Sequence, residues 1–165
     1  PRLWALVRVA LAAVAPTLVS MRLVWPGTLK LEGPWLGQLK HLQLVWVEAE
    51  FIDIASSQMA GLPSLRSIEL QAEATQDNPV DGPQGTLLPA GLRRLGLSAH
   101  GLKAPPACLP ALSSLVSLSL EASGFKEVSS MQCLSNLTTL QELQLSGWVR
   151  LLAVATVVQQ RYSRA

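Results

Sequence analysis

Two histidines, His41 and His100, two cysteines, Cys108 and Cys133, and one local carboxylate group, Glu48, Glu50 and Asp53, are the residues of this 165-residue chain best suited by type to chemistry. A structural zinc site needs four nitrogen or sulfur ligands, which come in closely spaced pairs. Neither histidine has a cysteine or carboxylate at such a spacing, so a structural role is predicted for both. Paired carboxylates can share general acid and base work, but here no base, metal ligand or pocket signature accompanies them. The run VEAEFID therefore reads as a solvated face. The chain has no phosphate loop, dinucleotide fingerprint, nucleophile elbow or Ser-His-Asp set. The sequence predicts neither an enzyme, nor a metal site, nor a cofactor.

Composition narrows the partners. Apolar residues make up 49% of the chain and charged residues 15%, which predicts a buried core and excludes disorder. Net charge is +2; residues 1–82 carry six basic and eight acidic groups, residues 83–165 seven and three. Duplex binding needs a dense basic stripe, and that mild asymmetry supplies none, so nucleic acid is not an expected partner. The opening RLWALVRVALAAVA is too short for a bilayer span, which takes roughly 20 apolar residues, and Arg8 interrupts it. It also lacks the layout of a secretory signal. Leu3, Leu6, Val7, Ala10, Leu11 and Val14 fall at helical spacing, so a buried capping helix is expected over residues 1–14. The chain starts at Pro1 without an initiator Met, as a fragment or excised domain would.

These few polar groups must be held by something, and the sequence repeats itself. Leu-x-x-Leu-x-Leu, with Met or Ile allowed in the middle, occurs as LVSMRL from Leu18, LKHLQL from Leu39 and LRSIEL from Leu65. It recurs as LRRLGL from Leu92, LVSLSL from Leu115 and LQELQL from Leu140, so the start-to-start intervals are 21, 26, 27, 23 and 25. The trio Leu-Val-Trp ends both MRLVW and LQLVW, placing Trp25 and Trp46 alike in the first two copies. Alternation along a strand turns both leucines of Leu-x-Leu to one side. One unit cannot bury them, so neighbouring units must stack into a continuous core. The run QDNPVDGPQG, residues 76–85, concentrates turn residues and is expected to be a mobile loop. VRLLAVATVVQQRYSRA suits a final helix, with a strand as the alternative.

The pattern resembles the leucine-rich-repeat family, over about residues 15–152. The resemblance implies an α/β fold: a curved solenoid with a parallel sheet on its concave face and helices or loops on its convex side. It would comprise a capping helix (1–14), about six repeats (15–152), and a C-terminal helix or the start of a further repeat (153–165). The family's asparagine, three residues after the second strand leucine, is replaced by Pro26, Val47, Glu73, His100, Ser123 and Trp148. Cys108 and Cys133 hold the same place in successive repeats, in ACLPAL and QCLSNL. A bridge needs Cα atoms within roughly 7 Å, and buried thiols are the preferred reading over that bridge. Both thiols are then expected to titrate without reductant, only on unfolding, and the location to be cytoplasmic. A sequon, Asn136-Leu-Thr138, is present without an accompanying export signal.

Family arrays usually recognise other proteins, so the resemblance implies a protein-interaction module binding a polypeptide through its concave face. Alternatives are a sensor segment of a larger receptor, the substrate-recruiting part of a ubiquitin-ligase adaptor, or a hydrolase with an unrecognised site. Outward positions were assigned as the residue before the middle apolar position, the one between the strand leucines, and the two following. That assignment predicts a partner-binding set of Arg22, Trp25, His41, Trp46, Glu69 and Arg94, with the two tryptophans side by side. A tryptophan just past a strand can instead fold inward to fill a turn that lacks asparagine.

Overall fold

Apolar residues three apart build the turn that leads into each strand. The computed structural model describes residues 2–31, 35–54, 59–73, 81–82, 85–86, 88–99, 105–121 and 134–146. Within it, backbone bonds join Leu39 N–H to Leu36 and Leu42 N–H to Leu39, at 3.1 and 3.2 Å. The same pair of bonds links Met59, Leu62 and Leu65, then Leu109, Leu112 and Leu115, then Leu134, Leu137 and Leu140. Each starts as a 3-10 turn (Leu36–Gln38, Met59–Gly61, Leu109–Ala111). Such a turn eclipses residues three apart, so its apolar positions fall in one line facing the core.

The strands that follow are β1 (Ser20–Leu31), β2 (Leu44–Ile54), β3 (Ser67–Ala72), β6 (Arg94–Ala99), β7 (Ser117–Glu121) and β8 (Glu142–Ser146). They form one parallel sheet in the order β1-β2-β3-β6-β7-β8. Two short strands, β4 (Asp81–Gly82) and β5 (Gly85–Thr86), pair antiparallel at the C-terminal end of the turn-rich run QDNPVDGPQG, reaching one residue past it. The architecture is a solenoid with one parallel sheet, as the stacking of repeated units implied. Inward positions of the sheet are stacked rows: Met21, Val45, Ile68, Leu95, Leu118 and Leu143 in one, Leu23, Val47, Leu70, Leu97, Leu120 and Leu145 in the next.

One backbone feature fixes the register of every repeat. The carbonyl just before each strand accepts two N–H groups from the next repeat: Val19 from Gln43 and Leu44, Gln43 from Arg66 and Ser67, Arg66 from Arg93 and Arg94. Arg93 does so for Val116 and Ser117, and Val116 for Gln141 and Glu142, all at 2.8–3.2 Å. This ladder corrects the second repeat. Its strand motif is LQLVWV from Leu42, not LKHLQL from Leu39, because Val45 and Val47 pair with Ile68 and Leu70. The start-to-start intervals become 24 and 23 where the sequence suggested 21 and 26. Val47 is thus a core residue rather than the asparagine equivalent, and Val45, expected outward, is fully buried.

A side-chain bond adds to the backbone ladder near the sixth repeat. The Thr139 hydroxyl lies 2.9 Å from the Ser113 carbonyl and 2.8 Å from that of Leu115, so its one proton is shared between neighbours a repeat away. Thr139→Val keeps the shape and removes the donor. It is expected to lower stability by about 1 kcal/mol in a denaturant titration, and no change would deny the bond a role.

Two departures sit at the N-terminal end. β1 and β2 run on past the other strands, with a bulge between the pairs Trp25↔Ala49 and Thr28↔Phe51. Gly27 takes φ 96° there, a conformation that side chains resist, and Pro26 gives up an N–H that an edge strand does not need. The helix α1 (Arg2–Val14) forms as predicted but is not buried. Leu6 and Val9 are about two-thirds exposed, and Ala10 and Val14 also face solvent. Leu11 and Ala12 pack against the core, Ala15 just past the helix is fully buried, and Val7, one turn before Leu11, is half-buried. Apart from Arg2 and Arg8 the helix is apolar, too few polar groups to mark which side faces solvent, so its spacing overstated the burial.

Candidate interaction surface

Strand pairing puts three rows of side chains on the open face of the sheet. The first runs Ser20, Leu44, Ser67, Arg94, Ser117, Glu142. The second runs Arg22, Trp46, Glu69, Gly96, Ser119, Gln144, and the third Val24, Glu48, Gln71, Ser98, Glu121, Ser146. Of the expected partner-binding residues, Arg22, Trp46 and Glu69 are consecutive members of the middle row, and Arg94 lies in the first.

The other two lie elsewhere. His41 is exposed in the turn before Leu42, two residues short of β2 and off the strand face. Trp25 is opposite Ala49, not Trp46. Its row continues through Ala72 and Ala99, and all three alanines are buried. The indole is half-buried and packs on the core at the head of this row of small side chains. The tryptophans therefore do not lie side by side. Strict alternation explains the correction: if the residue after the second strand position points out, the next points in, so Trp25, Ala72 and Ala99 could not all join the open face.

Trp46 has another neighbour. The Arg22 guanidinium carbon sits 4.1 Å from its ring centroid, within the range at which a cation is drawn to an aromatic face. Sequence reasoning named both residues and missed the pairing, because the three-residue slip in repeat two put Trp46 in Trp25's row. The signal that resolves it is the β-branched pair Val45 and Val47, flanking Trp46 at strand alternation. Leu44, read as an inward leucine, is 43% exposed on the open face, and Val24 is 62% exposed.

Polar groups occupy the rest. Gln71 donates to a Glu69 carboxylate oxygen at 3.1 Å, and the Ser98 hydroxyl to Glu121 at 3.0 Å. Gly96 leaves room for Glu69: a methyl group there would meet the Glu69 Cγ at 3.1 Å, so this side chain lies flat toward β6. Glu48 and Glu50 sit on β2, Glu48 half-buried and Glu50 exposed. Among the described residues no group of three His, Cys, Asp or Glu side chains is arranged to hold a metal ion. Cys108 is buried beside Leu109 at the start of a 3-10 turn. His100, Ser123, Cys133, Trp148 and the expected C-terminal helix lie outside the described residues. No helix among the described residues is long and apolar enough to cross a membrane.

Neither a family model nor a curated protein matches the chain. Among solved structures it is similar to an internalin from Listeria monocytogenes, at 22% identity and a TM-score of 0.45, over 75% of this chain and 34% of that one. The chain thus spans about a third of that protein's length. The fold assignment rests on the chain's own parallel ladder and repeat spacing.

Proposed function

We propose that this chain is a protein-interaction module, a leucine-rich-repeat scaffold that receives a polypeptide on the open face of its sheet, with Trp46 as the anchor. The carrying observation is a half-buried tryptophan on the solvent side of a sheet whose other side already holds the core. Exposed Leu44 and Val24 and the stacked Arg22 surround it. Tryptophan and arginine dominate interface energetics because they offer large contact area and directional bonding at low rotamer cost. The remaining rows are polar and suit a rim.

The test uses peptides of about nine residues selected on the purified chain from a random display library. Trp46→Ala is expected to weaken a selected peptide by about 2 kcal/mol, roughly thirtyfold in Kd, with the melting temperature lowered by no more than about 4 °C. Unchanged affinity would overturn the reading.

A further inference from the structure

We infer that the partner of the open face is an extended, basic segment. One Lys or Arg side chain settles on the Trp46 indole where Arg22 now lies, and a second, four residues along, reaches Glu121. This rests on the reading that the open face receives a polypeptide, and it adds the chemistry of that polypeptide.

Charge gives the first argument. The three rows carry two cations, Arg22 and Arg94, against four anions, Glu48, Glu69, Glu121 and Glu142. Three of the anions lie on or beyond the strand next to Trp46, where the rows from β3 to β8 hold Arg94 as their one cation, with Arg66 and Arg93 in the turns before β3 and β6. The indole gives the second. Its face already holds a guanidinium at 4.1 Å, while Glu48 lies two residues along the same strand and Glu69 is its neighbour in the row. An aromatic face beside two carboxylates favours a cation over a neutral or acidic group. Arg22 occupies that position from the chain itself, and a partner's basic group would displace it.

Shape supplies the third. Between Glu69 and Glu121 the floor consists of Gly96, Ser98 and Ser119, side chains short enough to let another backbone come close. From β2 to β7 is three strand steps, about 14 Å at roughly 4.8 Å per step. An extended chain covers about 13 Å in four residues, and alternation returns the fourth side chain to the same face. The matching segment is basic at its first and fifth positions and small at its third. The third position then falls midway between β3 and β6, at the near edge of the floor of Gly96 and Ser98.

The experiment selects random peptides of about nine residues on the full chain at low salt, then measures affinities by anisotropy. Selected peptides are expected to carry Lys or Arg four apart. Glu69→Gln with Glu121→Gln should weaken them roughly tenfold, and raising salt from about 0.05 to about 0.5 M should weaken the wild type similarly. Arg22→Ala should tighten them about threefold, since it removes both a competitor for the ring and a repelling charge. Melting curves establish that each variant is folded, and the salt series needs no variant at all. Acidic or uncharged peptides that bind through Trp46 would overturn the inference and leave the interaction module standing. Weaker binding by Arg22→Ala, or indifference to both salt and the double variant, would overturn it too. No selected peptide, or peptides indifferent to Trp46→Ala, would remove the interaction reading itself and this inference with it.

Discussion

Val47→Asp is expected to leave the chain unfolded at room temperature, while Leu44→Asp, three residues earlier on the same strand, leaves its melting temperature nearly unchanged. Val47 is fully buried between Leu23 and Leu70 in an inward row of the stacked core. An isolated carboxylate there has no cation or hydrogen-bond donor to receive it. Its burial costs several kcal/mol, and the lost apolar contact adds roughly another 1–2 kcal/mol. That sum is comparable to the whole stability of an ordinary domain, about 5–15 kcal/mol. Leu44 opposes Ser20 and Ser67 on the open face with 43% of its surface in solvent, so a charge there stays hydrated and the expected change is about 1 kcal/mol or less. Circular dichroism melts of the two variants decide between the registers. A second repeat that began at Leu39 would reverse the result, because it places Leu44 inside and Val47 in the turn.

That contrast shows where the sequence was informative. The solenoid was legible because its core is built mostly from leucine in a recurring local pattern, and six near-copies of a motif have few physical explanations other than stacking. The second repeat was harder to read for the same reason. Leu36, Leu39 and Leu42 stand three apart in consecutive 3-10 turns, and Leu44 adds a fourth leucine at the offset that mimics a strand motif. Leucine alone could not break the tie. The β-branched Val45 and Val47 do, since they fit a pleated, buried strand. The helix was legible in its existence but not in its burial, because beyond Arg2 and Arg8 it offers only apolar side chains to choose among. On the open face, Arg22, Glu69 and Arg94 were placed by alternation, and Trp46 only because the errors of register and strand length cancelled there, whereas His41 and Trp25 inherited one or the other. The stacking of Arg22 on Trp46 lay beyond reach, since it joins residues on different strands whose pairing only the backbone ladder sets.

The two tryptophans of the repeated Leu-Val-Trp trio are expected to answer mutation in opposite ways. Trp25 shares a row with Ala49, Ala72 and Ala99, and its ring packs on the core. Trp25→Ala would add one more small side chain to a row that already consists of them, leaving a gap that no neighbour is large enough to close. A loss of about 3 kcal/mol is expected, at the lower end for a tryptophan because the ring is only half-buried. Trp46 stands on the other face, over no cavity, with Arg22 across its ring. Trp46→Ala forfeits that stack, worth roughly 0.5–1 kcal/mol at an exposed site, and leaves the core untouched. Denaturant titrations of the single variants give the difference directly, and fluorescence of proteins retaining one tryptophan gives an independent reading. Trp46 is expected to be the more accessible of the two to acrylamide, a neutral quencher, and Arg22→Ala to raise its quenching further by uncovering the ring. Equal stability losses from the two substitutions would mean that both rings serve the core, and the open face would then have no aromatic anchor to offer a partner.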